Sequence, residues 1–194
     1  MKPEDRQLAE QVLNHLCQNG QISGIGCGPI LRLLISIEDS KKNLRGQIYL
    51  NLASKWTVFE SLPTKLPQSE SDFAETTVKE DLQHLCELRE AEVSKVELGN
   101  NSPHLLIHFT DRRVLFVNGH SNGYESWDLG LCFRRAKETW LVVATPNDDV
   151  TVFAPEEFID HPSPRSLVHQ ENGVKMITIK AINSTSTIIE RLDS

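Results

Sequence analysis

The chain has 194 residues, 39% of them hydrophobic and 24% charged, with a formal charge of −7 at pH 7. That length buries a core as one large domain or two small ones, and the composition excludes disorder along the whole chain. A negative body repels phosphate backbones, so nucleic acid is set aside as a partner; Arg112-Arg113 and Arg134-Arg135-Lys137 read as solvated turn charges, with no aromatic stripe joining them.

The first residues, Met1-Lys2-Pro3-Glu4-Asp5-Arg6, are charged and lack the apolar segment of a signal peptide. Over 3–19, Leu8, Val12, Leu13 and Leu16 recur at helical spacing, with Pro3 suited to the first turn and Gly20 to the stop. The glycines of Ser23-Gly24-Ile25-Gly26-Cys27-Gly28-Pro29 mark a flexible connector. They precede an apolar strand instead of following one, and no Gly-Lys-Ser/Thr accompanies them, so a phosphate-binding loop is set aside. Strands are expected over 30–38 and 46–60, on either side of the charged turn Asp39-Ser40-Lys41-Lys42-Asn43. In the second, Ile48, Leu50 and Leu52 alternate with Gln47, Tyr49 and Asn51, the period of a half-buried strand. The first carries Arg32 within its apolar run, so no membrane span is expected.

Prolines, serines and acids make 62–76 a mobile surface loop. A second helix follows over 77–90, with Thr77 and Glu80 as a capping box and Val78, Leu82, Leu85 and Leu88 as its buried stripe. Strands are then expected over 92–98, 104–110, 114–120, 125–133, 139–145 and 150–153, separated by Gly, Asn and Asp turns. Short connections imply antiparallel neighbours. One sheet over 92–153 is expected, with the second helix on its apolar face. Asp160-His161-Pro162-Ser163-Pro164 reads as a linker, and 174–182 as a last strand. The fold class is thus α+β, an antiparallel meander or partial barrel with two helices. The main domain covers 1–158, divisible into sub-lobes 1–76 and 77–158, and 159–194 is linker and C-terminal strand or tail. The four cysteines, Cys17, Cys27, Cys86 and Cys132, contain no CxxC pair and read as buried reduced thiols, which places the chain in the cytoplasm.

The densest polar and aromatic grouping runs from His104 to Asp128. If Asp111-Arg112-Arg113 is a three-residue hairpin loop, Thr110 pairs with Val114, His104 lies opposite His120 and His108 opposite Phe116. One face then carries His104, Leu106 and His108 with Phe116, Asn118 and His120, and receives Tyr124 and Glu125 from the next turn; the other face is apolar. Imidazoles and carboxylates at such density suit a metal or a general base, yet no HExxH or HxH spacing exists, so the face reads as a binding surface without metal or cofactor. Asp148, Asp149, Glu156 and Glu157 lie in a stretch free of Lys and Arg and form an acidic edge. No Gly-x-Ser-x-Gly elbow is present, and Trp127 and Trp140 read as core.

"LLIHFTDRRVLFVNGHSNGYESWDLG" (105–130), with "GQIYLNLASKW" upstream and the Val142-Val143-Ala144 strand downstream, resembles a group of small bacterial proteins with a YESW-type strand. The likeness covers 30–153 and implies no catalytic residues. The resulting expectation is a non-catalytic accessory or immunity-like protein that binds another protein. The alternative is a small metal-binding protein or metal-dependent enzyme on the histidine face.

Overall fold

The computed structural model describes residues 1–40, 44–132, 139–159, 166–171, 174–181 and 184–191. Two compact units result, Met1–Pro155 and Glu156–Ser194. The first opens with helix α1 (Pro3–Cys17) and strands β1 (Gln21–Gly26), β2 (Leu31–Asp39), β3 (Leu44–Leu52) and β4 (Trp56–Phe59). Helix α2 (Val78–Glu87) leads into β5 (Val93–Leu98), β6 (Leu105–Phe109), β7 (Val114–Val117), β8 (Trp127–Leu131), β9 (Leu141–Thr145) and β10 (Asp149–Phe153). These ten strands form two antiparallel sheets, ordered β1-β2-β3-β8-β9-β10 and β4-β7-β6-β5. The class is α+β, and the sheets do not close into a barrel. The second unit holds a short helix α3 (Glu156–Ile159) and an antiparallel meander of β11 (Ser166–Glu171), β12 (Val174–Ala181) and β13 (Ser184–Arg191), where the sequence pattern predicts one strand. The linker at 160–164 and the basic cluster at 134–137 lie outside the described residues.

Residues 92–153 do not make one sheet. After Val117 the chain leaves the four-stranded sheet and enters the six-stranded one, because β3 offers β8 a free edge in register from Ile48–Leu131 to Leu52–Trp127. The run over 46–60 splits for the same reason: Ala53-Ser54-Lys55 interrupts it, and β4 pairs with β7. The two crossings lie side by side, with Asn118 N–H donating to Lys55 C=O at 2.8 Å and Ala53 N–H to Ser126 C=O at 3.2 Å. The glycine-rich connector contains a real strand, since β1 gains a full partner in β2 that overrides the poor strand propensity of Gly24 and Gly26. Among the described residues no helix is long and apolar enough to cross a membrane.

The helix that does most of the packing is α1 and not α2. Ala9, Val12, Leu13, Leu16 and Cys17 are buried on α1, which lies against β5 and β10. On α2 the expected capping box is present, with Glu80 N–H on Thr77 Oγ1, but the buried stripe shrinks to Leu85 and Leu88 while Val78 is 70% exposed. Arg113 holds the end of α2 by donating to Glu87 C=O at 2.6 Å.

Helix α1 also completes the outer edge of β5. Gln18 donates to Ser94 C=O, Asn14 bonds both the N–H and C=O of Val96, Glu10 accepts from Leu98 N–H, and Arg6 reaches Asn100. The Asn14 contacts are 2.7 and 2.8 Å and that of Glu10 is 2.9 Å. Trp127 is among the largest fully buried side chains, and its indole N–H donates to Pro103 C=O at 2.7 Å.

None of the four cysteines is in a disulfide, but only Cys17 is buried; Cys27 and Cys86 are exposed and Cys132 is half-buried. The expectation of four buried thiols therefore fails for three of them, because Cys27 stands in a turn beyond the end of β1 and Cys86 on the outer side of α2. A thiol reagent added to the folded protein should label Cys27 and Cys86 promptly and Cys17 only on unfolding. Prompt labelling of Cys17 would contradict the packing of α1. Asn14→Leu should lower unfolding free energy by about 1–3 kcal/mol for each Val96 group left unpaired. Urea titration reads this directly, with Gln11→Ala on the exposed side of α1 as a control that stays within about 0.5 kcal/mol.

Candidate functional site

The β6–β7 hairpin turns one residue earlier than its sequence suggests. Phe109 N–H bonds Arg113 C=O and Arg112 N–H bonds Phe109 C=O, so the loop is Thr110-Asp111-Arg112, with Arg112 in the left-handed region at φ 81°. This is the three-residue hairpin form that ends in a left-handed residue. Leu105 therefore pairs with Val117 and His108 with Val114, and the expected His104–His120 and His108–Phe116 pairings do not occur. The shift spans two positions, so each residue keeps its face. That face is not an open polar surface. Leu106, Val114 and Phe116 are buried there beneath Phe59, Leu66 and Phe73, the last two supplied by the loop expected to be mobile.

The three imidazoles end up in separate roles. His108 Nε2 stands 2.7 Å from a Glu97 carboxylate oxygen without the alignment of a hydrogen bond, so it gains an ion-pair contact only when protonated. His104 packs at a tilt against Phe116 with ring centres 5.4 Å apart, and its Nδ1 accepts the Gly119 N–H at 3.0 Å. His120 Nδ1 lies 2.8 Å from Asp148 Oδ1, which ties the histidine group to the acidic edge. Asn118, only 1% exposed, fixes this end of the hairpin: its amide oxygen accepts from His120 N–H and its amide nitrogen donates to His120 C=O.

Burial pushes His104 below the ordinary histidine range, because a proton there is poorly solvated and displaces the acceptor lone pair used by Gly119. The nearby Asp148 opposes this, and His120 reinforces it. Burial pushes Asp148 upward, but hydrogen bonds from His120 and Ser102 outweigh it and hold the carboxyl below its usual value. Asp148 and Asn147 both have positive φ in the β9–β10 turn, which aims Asp148 at His120.

The other expected residues disperse. Tyr124, 48% exposed, donates to Glu70 at 2.9 Å, and that bond with the carboxylate raises its hydroxyl pKa. Glu125 is exposed. Asp149 sits beside Asp148 at the β9–β10 turn, whereas Glu156 and Glu157 belong to α3 in the second unit. Among the described residues no group of three or more His, Cys, Asp or Glu side chains is arranged to hold a metal ion.

A different set is brought together on the outward face of the six-stranded sheet. Arg32, Asn51 and Asp128 are register partners across β2, β3 and β8. Arg32 Nε donates to Asn51 Oδ1 at 2.7 Å, and Asn51 Nδ2 donates to both Asp128 oxygens at 3.0 and 3.1 Å. The guanidinium lies 5.0 Å over the Tyr49 ring. Beside it runs a groove of about 330 Å³ between the Cys27-Gly28-Pro29 turn and the Arg32 and Asn51 side chains. Alternation along β3 already separates Tyr49 and Asn51 from the core face, but Asp128 joins them only through a pairing distant in sequence.

No protein-family model, curated protein or solved structure matches the chain. The chemistry thus rests on the geometry alone: an imidazole oriented by a carboxylate of the β9–β10 turn, and a pre-ordered guanidinium beside a groove on the sheet face.

His104 gives the site a pH signature. The unfolded chain takes up a proton there near pH 6.5, while the folded chain resists it until lower pH, so stability falls as pH drops below 6.5. Asp148 adds a loss in the same direction, but only as pH falls through the carboxylate range below its usual 3.8. His104→Gln should flatten the stability profile between about pH 7 and 5, where one such group contributes at most about 1.4 kcal/mol per pH unit. Denaturant titrations at several pH values with an unchanged slope would rule His104 out as the cause.

Proposed function

We propose that the chain is a non-catalytic binding protein, an accessory or immunity-like factor of a bacterial cytoplasm, and that it meets its protein partner through the outward face of the six-stranded sheet. The Arg32–Asn51–Asp128 row carries this reading. Arginine and tyrosine are the side chains that dominate interface energetics, and an arginine already held by stacking and a hydrogen bond loses little freedom on binding. Groups at the centre of an interface also need neighbours that exclude water. Half-buried Leu34, Tyr49 and Leu141 on the same sheet supply them.

The second reading, a small enzyme, draws on His120–Asp148. A carboxylate on Nδ1 leaves Nε2 as the basic nitrogen, which is what a general base needs. The metal-dependent form of that reading would require His104 and His108 as well, yet His104 faces Phe116 and His108 faces Glu97.

Quantitative affinity capture from cells producing the chain separates the readings, provided each retained protein is then purified and rebound. Arg32→Glu should reduce rebinding of the true partner at least tenfold with little change in melting temperature, since exposed substitutions alter stability by about 0.5 kcal/mol or less. His120→Ala should leave binding intact. A partner held equally by wild type and Arg32→Glu, or lost only with His120→Ala, would overturn the proposal.

A further inference from the structure

The two glycines of β1 change what the edge of the six-stranded sheet can reach. Gly24 pairs with Leu34 and Gly26 with Arg32, so these pairs share the outward face. A Cβ on Gly26 would come within 3.2 Å of Arg32 Cβ, and one on Gly24 within 3.5 Å of Leu34 Cδ1. With no side chains at those two positions, Arg32 is approached across Gly26 from the β1 side, and Leu34 is approached across Gly24 beside the Ser23 hydroxyl, which reaches onto that face to Gln47. The backbone edge carries no further strand among the described residues, and helix α2 contacts β1. Ile22 is bonded outward to Ala91 and Glu90, but beyond it no strand pairs with the outer side of Ser23–Gly26 among the described residues. A bulge between Ile22 and Gly24 marks where the covered part of the edge stops.

Arg32 is held but not used up. Its Nε–H donates to Asn51 and its guanidinium carbon lies 5.0 Å over the Tyr49 ring, while among the described residues neither terminal nitrogen has a carboxylate within ion-pair distance. Two parallel N–H groups on a fixed plane match a carboxylate bidentately. Leu34, two positions along β2, is half-buried and apolar.

We infer that β1 accepts an extended segment of the partner as an added strand, with an acidic side chain of that segment on Arg32 and an apolar one, two residues away, on Leu34. This deepens the sheet-face reading and rests on it. Main-chain bonds to Ser23–Gly26 supply affinity, and the two side-chain contacts across the glycine gap supply selection. A net negative protein that recruits an acidic segment needs a local cation at the contact, and Arg32 is that cation.

The probes are two acetylated, amidated pentapeptides, Thr-Val-Thr-Glu-Thr and Thr-Glu-Thr-Val-Thr, which cover both strand directions, and their Gln-for-Glu counterparts. NMR titration into the full chain should shift the amides of Ser23–Gly26 and the Arg32 Nε–H with one of the two Glu peptides. The matching Gln peptide should bind about tenfold more weakly, and Arg32→Gln should remove that difference. Equal binding of Glu and Gln peptides, shifts confined to residues away from β1, or no shift with any peptide each overturn strand addition. If Arg32→Glu abolishes partner binding while the peptides leave β1 untouched, the sheet-face reading stands and the strand inference alone fails.

Discussion

The structure depends on how an α-helix satisfies the edge of a β-strand. A strand edge needs a partner every second residue, and an unpaired edge left open invites another chain. Four helix residues advance about 6.0 Å and two strand residues about 6.6 Å, so side chains at every fourth helix position can meet alternate strand residues. Arg6, Glu10 and Asn14 on α1, with Gln18 at its C-terminal cap, do this against Asn100 just past β5 and Leu98, Val96 and Ser94 within it, running antiparallel. Each step also turns about 40° around the helix, so such a ladder lasts only a few rungs, about the length of α1. With β5 covered in this way and α1 also against β10, the two sheets are joined without closing into a barrel.

The same arrangement sorts polar groups by location. The side of the six-stranded sheet that faces the core is uniformly apolar: Leu33, Ile35, Ile48, Leu50, Leu129 and Val142 are fully buried. Polar side chains of those strands are therefore confined to the other face, where β2, β3 and β8 place Arg32, Asn51 and Asp128 in one row. The row follows from strand order. Had β8 stayed beside β7, Asp128 would lie in a different sheet and Asn51 would have no carboxylate to hold it.

Much of the fold was legible from local pattern. The alternation in β3, the positions of β5 to β10 between their turns, the Thr77–Glu80 capping box and the apolar stripe of α1 are short-range features, and they survive in the structure. What was not legible depends on distant partners. Nothing near Gly24 announces that β2 will make it a strand, and nothing near Val117 announces that the chain changes sheets there. The histidine face shows a third kind of failure. Its parity was readable, but a one-residue error in the turn moved every cross-strand pair, and the cover from Leu66 and Phe73 came from a segment whose composition reads as loop. Of the site residues, the meeting of His120 with Asp148 joins two groupings that were visible separately, while Arg32 drew notice only as a charge that breaks an apolar run.

The strand order also constrains how the chain is made. β1, β2 and β3 form a local meander, yet the far side of β3 waits for β8, which follows only after the four-stranded sheet's own strands have been synthesised. At ribosomal rates that interval is on the order of several seconds. Throughout it, Ile48, Leu50 and Leu52 stand on a nascent strand with one edge unpaired, while β4 has already been laid down and must hold its place for β7. This sheet is thus exposed to misassociation while residues 53–126 are being synthesised, and slowing elongation before residue 127 would lengthen that exposure.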